Sequence, residues 1–231
     1  MSVCQSFLDL FNKTARTSFA NKTICTDFFV VDECNPNQSS VPLTTLQVKQ
    51  IGSNFTSFND KLVKNMKDIT TKRSCFLLDK DCDGVAFVSN NNSEGLILVE
   101  LKSRFNIQHI EEAFKQMTFS YLKLHAMFSL CKDYTIDALS IKFVAACQCF
   151  EDNNQRDFVY NELNKVGMLP NPTFNGRFLR KLIDNKTMVV KLGSITNIWK
   201  IPLSNYLIDK QLTLSLQFTQ AYGDASAIHN L

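Results

Sequence analysis

The chain is poor in glycine, proline and histidine, with 7 Gly, 5 Pro and 3 His among 231 residues. So little Gly and Pro excludes collagen-like, low-complexity and disordered classes, which are dominated by such residues. No segment recurs at a solenoid period. His109, His125 and His229 are scattered, which leaves no basis for a His-built metal site or a Ser-His-Asp triad. No P-loop or G-x-G-x-x-G fingerprint occurs, so nothing indicates the use of nucleotide energy. No apolar run approaches the roughly 18 residues needed to span a bilayer. Met1 to Leu10 shows no basic stretch leading into a long apolar one, as a secretory signal would. A cytoplasmic protein without membrane association is expected. Charge of one sign is also lacking: the formal net charge is +3, which permits a nucleic-acid partner without demanding one.

What is present fits a packed globular protein. Hydrophobic residues make up 45% and charged residues 20%, and 19 Phe supply bulk for a core. The length suits one domain, or one domain with an appendage. Cysteines stand at 4, 25, 34, 75, 82, 131, 147 and 149, none in C-x-x-C spacing. In a cytoplasm they are expected to be reduced thiols. Asn-x-Ser/Thr triplets begin at Asn12, Asn21, Asn37, Asn54, Asn91 and Asn185. Without a route to secretion they reflect composition rather than glycosylation.

Periodicity suggests an order of elements. A short amphipathic helix is expected within 3–20 and a helix over 57–69, with a strand at 26–31 and a loop at 35–40. Short β-like runs follow at 75–79 and 83–88, then the turn Ser89 to Gly95 and the strand Leu96 to Leu101. Residues 107–130 read as a long helix. Ile110, Phe114, Met117, Tyr121, Leu124 and Phe128 recur along one face of it, at three- and four-residue steps. The apolar run over 136–149 holds another strand. Beyond residue 152 the pattern changes to helices at 155–166 and 175–183 and a meander of strands at 187–192, 196–202 and 211–218. A boundary there divides the chain into 1–152, an α/β core, and 153–231, a subdomain or an elaboration of the core. The fold class is α/β, a central mixed sheet flanked by helices.

The chemistry gathers in CDGVAFVSNNNSEGLILVELKSRF. Strand side chains alternate faces, so Glu100 and Lys102 share one. A hairpin folded about the middle of the Asn-rich turn sets Asp83 opposite Glu100, or one residue off. Opposed Cβ atoms lie roughly 4.5–5.5 Å apart. Two carboxylates so placed repel and raise one another's pKa. A hard divalent cation such as Mg²⁺ suits an oxygen-rich site of this kind. It lowers the pKa of a bound water and neutralises charge developing on phosphorus, while Lys102 holds a phosphate oxygen or orients the water. The competing reading is an exposed strand face with a cross-strand ion pair. Against it, Leu96-Ile97-Leu98-Val99 lacks alternation and reads as buried on both faces.

Asp83, Glu100 and Lys102, across a hairpin and before a long helix, resemble the PD-(D/E)XK phosphodiesterase superfamily. The resemblance covers residues 83 to 121 and implies a restriction-endonuclease-like core. It implies metal ligation by Asp83 and Glu100, with help from the Leu101 carbonyl, and a catalytic role for Lys102. In several branches a Gln near a Tyr on the next helix serves the site. Gln116 and Tyr121 are the candidates, one residue further apart than the usual spacing. Cys82 replaces the nominal Pro. The acidic residue that many members carry on an early helix is not assigned; Glu33 and Asp60 are the choices. Lys61, Lys64 and Lys67 with Lys72 and Arg73, and separately Arg177, Arg180 and Lys181, are either solvated helix faces or phosphate contacts.

The expected function is Mg²⁺- or Mn²⁺-dependent hydrolysis of nucleic-acid phosphodiesters. Double-stranded DNA is the favoured substrate, and restriction or defence against foreign DNA is the role by family analogy. A second copy of the chain or a defence-system protein is the further partner expected. The alternatives are a catalytically inactive nucleic-acid-binding or structural module with the same fold, and a hydrolase of another phosphorylated substrate.

Overall fold

A computed structural model describes residues 2–11, 23–33, 43–58, 80–91, 93–132, 134–150, 153–154, 156–157, 174–199, 211–222 and 224–231. It is an α/β fold built on one mixed sheet of eight strands. In chain order the elements are α1 (Val3–Asp9), β1 (Thr23–Asp32), β2 (Thr45–Phe58), β3 (Gly84–Ser89) and β4 (Glu94–Phe105). They continue with α2 (Ile107–Phe128), a 3-10 turn (Ile136–Ala138), β5 (Ser140–Phe150), α3 (Phe174–Asn185), β6 (Thr187–Lys191), α4 (Leu192–Ile198), β7 (Thr213–Gln220) and β8 (Ser226–Asn230). Across the sheet the order is β1-β2-β3-β4-β5-β7-β6, with β8 paired to β2.

The β3–β4 hairpin has the register expected from its turn: Gly84 opposes Val99 and Ser89 opposes Glu94. β4 then pairs in parallel with β5 through the α2 crossover, and β5 pairs in parallel with β7. A strand flanked in this way is covered on both faces and needs no alternation. Leu96 and Leu98 belong to one buried cluster, with the inward face of α2. Ile97, Val99 and Leu101 belong to a second cluster, with Phe29, Val31, Leu46 and Phe55 of β1 and β2. The sheet is therefore sandwiched between a helical layer and a layer made by β1, the first half of β2, and β8.

That second layer depends on a bend. The β1–β2 register shifts between Thr26 and Phe28, where Asp27 has φ 69° and Gly52 has φ 77°. Gly52 N donates to Asp27 Oδ1 at 2.6 Å, which ties the two left-handed residues together. Only glycine adopts such a φ without cost. β1 then comes so close to β3 that a Cβ at Gly84 would stand 2.5 Å from Val31 Cγ2.

α2 begins where its sequence permits. Asn106 caps it, with Oδ1 accepting from His109 N at 2.7 Å, and so satisfies one of the helix's open donors. Ile110, Ala113, Phe114, Met117, Tyr121, Leu124 and Phe128 are buried along its inward side. Phe114 stacks on Trp199 at a 7° interplanar angle.

The short first helix expected within 3–20 is present as Val3–Asp9, and residues 12–20 fall outside the described residues. Several other expectations fail. Ser57 and Phe58, expected to open a helix, close the long strand β2 instead. Residues 196–198, expected in a strand, close α4, whose turn is buried through Leu192, Ile195 and Trp199. Here burial on one side overrides β-propensity. β6 and β7 are antiparallel neighbours, but β7 stands between β5 and β6, so the terminal strands are not a plain meander. β8 pairs in parallel with β2, a connection no local pattern announces. Strands from beyond residue 152 thus lie in the same sheet as β3 and β4. The expected elements at 75–79 and 158–166, the loop at 35–40 and the rest of the 57–69 helix fall outside the described residues.

Candidate active site

Asp83 sits one residue before β3, and its N–H extends the ladder by donating to Val99 O at 3.0 Å. Its carboxylate turns onto β4, where Oδ2 accepts from Leu101 N at 2.8 Å. Glu100 and Lys102 point from β4 toward α2. Lys102 Nζ donates to Glu100 Oε1 at 2.6 Å and to Gln116 Oε1 at 2.8 Å. Gln116 Nε2 donates onward to the Asp81 carbonyl at 3.0 Å. Asp83, Glu100, Lys102 and Gln116 thus come together at the end of the hairpin. Leu101 supplies an amide to Asp83 from between the two site residues of β4.

Glu100 is 2% exposed, and its Oε2 is buried with no hydrogen-bond partner among the described residues. Burial pushes its carboxyl well above the usual range, and the charge of Asp83 pushes it further. Lys102 opposes this only in part. The Asp83 amide adds a weaker lowering influence, its own hydrogen bond being made to Val99. Burial pulls the Lys102 ammonium down, but Glu100 and Asp83 raise it on balance, so the lysine stays charged. The ion pair therefore does not repay the cost of burying Glu100, as is common for buried charges.

Glu33 lies at the end of β1, its N–H held by Thr44 O at 2.9 Å. Burial raises its carboxyl, Asp83 raises it further and Lys102 lowers it. Of the two acidic residues left open by the sequence, Glu33 is therefore near enough to feel the site, from a strand end and not from a helix. Asp60 falls outside the described residues.

Tyr121 is wholly buried and lies against Phe143 with ring centroids 6.4 Å apart, which makes it a core aromatic. The thiol of Cys82, at the position of the nominal Pro, is pushed up by burial, which suits an inert structural cysteine. Cys25, Cys82, Cys147 and Cys149 are free thiols. Arg177 and Lys181 are exposed on α3, and Arg180 Nε lies 3.4 Å from Asp184 Oδ2. The basic cluster from Lys61 to Arg73 is outside the described residues.

Four residues escaped the sequence reading: Asp81, Glu112, Ser120 and Lys123. Three of them, with Gln116, form a line on α2 beside its apolar stripe. The available signal was that spacing of four, four and three residues, which keeps one side of a helix.

Among the described residues no group of three or more His, Cys, Asp or Glu side chains is gathered to hold a metal ion. The fit of a cation rests instead on a pair of carboxylates. Glu100 Oε2 is a buried acceptor without a donor among the described residues, and the charge of Asp83 acts on it; carboxylate oxygens are the donor chemistry of a hard cation. A cavity of about 320 Å³ opens elsewhere, at the β7–β8 end, lined in part by Lys186, Thr219, Tyr222 and His229. It holds none of the site carboxylates. Among the described residues no helix is long and apolar enough to cross a membrane. No family model, curated protein or solved structure matches the chain.

Proposed function

We propose that this chain is a metal-dependent phosphodiesterase, a nuclease with a restriction-endonuclease-like core, acting on DNA in preference to RNA. The observation that carries this reading is Glu100: a buried glutamate with one oxygen unpartnered among the described residues, repelled by Asp83 and only partly balanced by Lys102. A fold gains nothing from such an arrangement unless a further positive charge completes it.

Asp83 and Glu100 would hold Mg²⁺ or Mn²⁺, with the Leu101 carbonyl as an added oxygen. When bound, the ion would lower the pKa of a water and offset charge on phosphorus. Lys102 binds a phosphate oxygen or orients the attacking water, and Gln116 aims the ammonium through its Oε1 contact. Leu101 N–H keeps the Asp83 carboxylate turned onto β4. Water attacks phosphorus in line, and the bond to the leaving oxygen breaks on the opposite side. Restriction or defence against foreign DNA is the role that analogy with the superfamily supports.

The test is incubation of plasmid and linear DNA with Mg²⁺, with Mn²⁺ and with chelator, beside Lys102→Ala. Metal-dependent cutting that Lys102→Ala abolishes is expected. A folded Lys102→Ala variant that cuts at the wild-type rate removes lysine from catalysis. RNA and phosphorylated small molecules in the same panel decide the substrate class. One observation favours a second reading, an inactive binding or structural module: Lys102 already pairs with Glu100 at 2.6 Å. Thermal melts separate the two. A catalytic site predicts a higher Tm with millimolar metal, since an ion that binds only the native state stabilises it, and loss of that response in Asp83→Asn. An indifferent wild type together with a weakened Asp83→Asn would make the cluster structural.

A further inference from the structure

The segment Lys80–Asp83 precedes β3 and carries Asp83. Four α2 side chains, one below the other, hold it. Glu112 Oε1 meets Lys80 Nζ at 2.5 Å at the surface. Gln116 Nε2 donates to the Asp81 carbonyl at 3.0 Å. Ser120 Oγ accepts from Cys82 N at 2.9 Å. Lys123 Nζ pairs with the Asp81 carboxylate and donates to the Lys80 carbonyl at 3.2 Å. The line runs from half-exposed to sealed: Lys80 and Glu112 side chains are 38% and 45% exposed, Lys123 and Asp81 only 1% and 6%.

A buried ion pair is a poor way to hold a helix on a loop. Apolar residues of similar volume do as well or better for stability. What polar contacts add is direction, since hydrogen bonds to backbone atoms fix a segment in place to a fraction of an ångström. Gln116 belongs to both sides: it grips Asp81 with Nε2 and Lys102 with Oε1. One face of α2 thus sets the strand that carries Glu100 and Lys102 against the segment that carries Asp83.

We propose that the Asp81–Lys123 pair and Ser120 are positioning residues, which aim Asp83 at Glu100 by locking the Lys80–Cys82 backbone onto α2. The inference rests on the reading of Asp83 and Glu100 as the site carboxylates. Misplacement of a reacting group by about 1 Å costs on the order of 10²-fold in rate, so a lock of this kind acts on turnover more than on substrate binding.

The test replaces both charges at once, Asp81→Leu with Lys123→Met, in the full chain. The double variant is expected to melt near the wild type, because no buried charge is left alone. Two readings follow. Hydrogen exchange at the Leu101 amide, which donates to Asp83 Oδ2, should accelerate at least tenfold while Leu98 and Val99 stay protected. Mn²⁺-dependent plasmid cleavage should lose at least tenfold in kcat with KM for DNA little changed. If Leu101 exchange is unchanged in the folded double variant, or if it rises while kcat holds, the positioning role is overturned. A wild type inert toward DNA with either metal sinks the nuclease reading alone, and Leu101 exchange still decides whether the pair aims Asp83. Should the double variant fail to fold, Ser120→Ala, which removes only the acceptor of Cys82 N, is read in the same way. A several-fold effect on both measures is expected, and wild-type values on both overturn the proposal.

Discussion

Two buried polar clusters lie on opposite faces of the sheet, and they are built on different rules. Beneath β8, His229 Nε2 meets Gln217 Oε1 at 2.5 Å, Thr219 Oγ1 meets His229 Nδ1 at 2.5 Å, and Gln217 Nε2 reaches Ser215 Oγ at 3.2 Å. Every ring nitrogen has a partner. Burial and the nearby Lys142 push the His229 pKa down to about 4, so the imidazole is neutral. Against α2, the other cluster carries the charges of Asp81, Asp83, Glu100, Lys102 and Lys123 and leaves Glu100 Oε2 without a donor among the described residues. A neutral network that closes on itself stabilises and specifies packing. A charged one with an unmatched carboxylate oxygen costs stability.

The largest effect should come from breaking the open cluster at its open point. Glu100→Gln keeps the shape and removes the charge, and cleavage should fall by on the order of 10² to 10⁴-fold, measured on plasmid DNA with Mn²⁺. Its stability should move the other way. The folded pKa of Glu100 is raised, so its stabilising contribution is present below the unfolded value and is lost as pH rises through the folded one. At neutral pH the charge costs stability, and Glu100→Gln should melt no lower than the metal-free wild type. A variant that cuts normally would make the open cluster as structural as the closed one.

Lys123→Met alone leaves Asp81 buried and unpaired, and should cost about 3–5 kcal/mol in urea unfolding. Adding Asp81→Leu should recover most of it, a coupling that a double-mutant cycle reads directly.

The closed cluster should reveal itself in acid. The folded pKa of His229 is depressed to about 4, below the unfolded value near 6.5. Its contribution is therefore complete above pH 6.5 and disappears as pH falls toward 4, a loss of about 3 kcal/mol. His229→Gln should flatten the stability slope across that window. An unchanged slope would mean that the imidazole is not held neutral by its surroundings.

The smallest effect belongs to the surface. The Arg180–Asp184 pair should contribute about 0.5 kcal/mol or less, so Arg180→Ala should barely alter Tm. If Arg180 touches a phosphate, the same variant lowers the log–log salt slope of DNA binding by about 0.9. An unchanged salt slope would place DNA away from Arg180.

The hairpin was legible because its signals are local. The symmetric turn set the register of Gly84 against Val99. The unalternating Leu96 to Val99 run announced a strand covered on both faces. Alternation placed Glu100 and Lys102 on one side, and the apolar repeat of α2 brought Gln116 within reach of Lys102. The 14-residue strand β2 was not legible. Its bend at Gly52 breaks the alternation that a strand is read by, and its polar stretch Lys49 to Asn54 resembles a loop. Nor was the parallel pairing of β8, made across nearly the whole chain.

Taken alone, the sequence determined the α/β class, the β3–β4 hairpin with its register, and the gathering of Asp83, Glu100 and Lys102. Each of these follows from contacts among near neighbours, whose geometry a period of 2 or 3.6 residues dictates. Only the tertiary structure decided that β1, β2 and β8 fold over one face, that Glu33 feels the charge of Asp83, and that Asp81 is locked to Lys123. Those pairings join residues far apart in the chain, and burial against distant partners chooses them where local preference is silent.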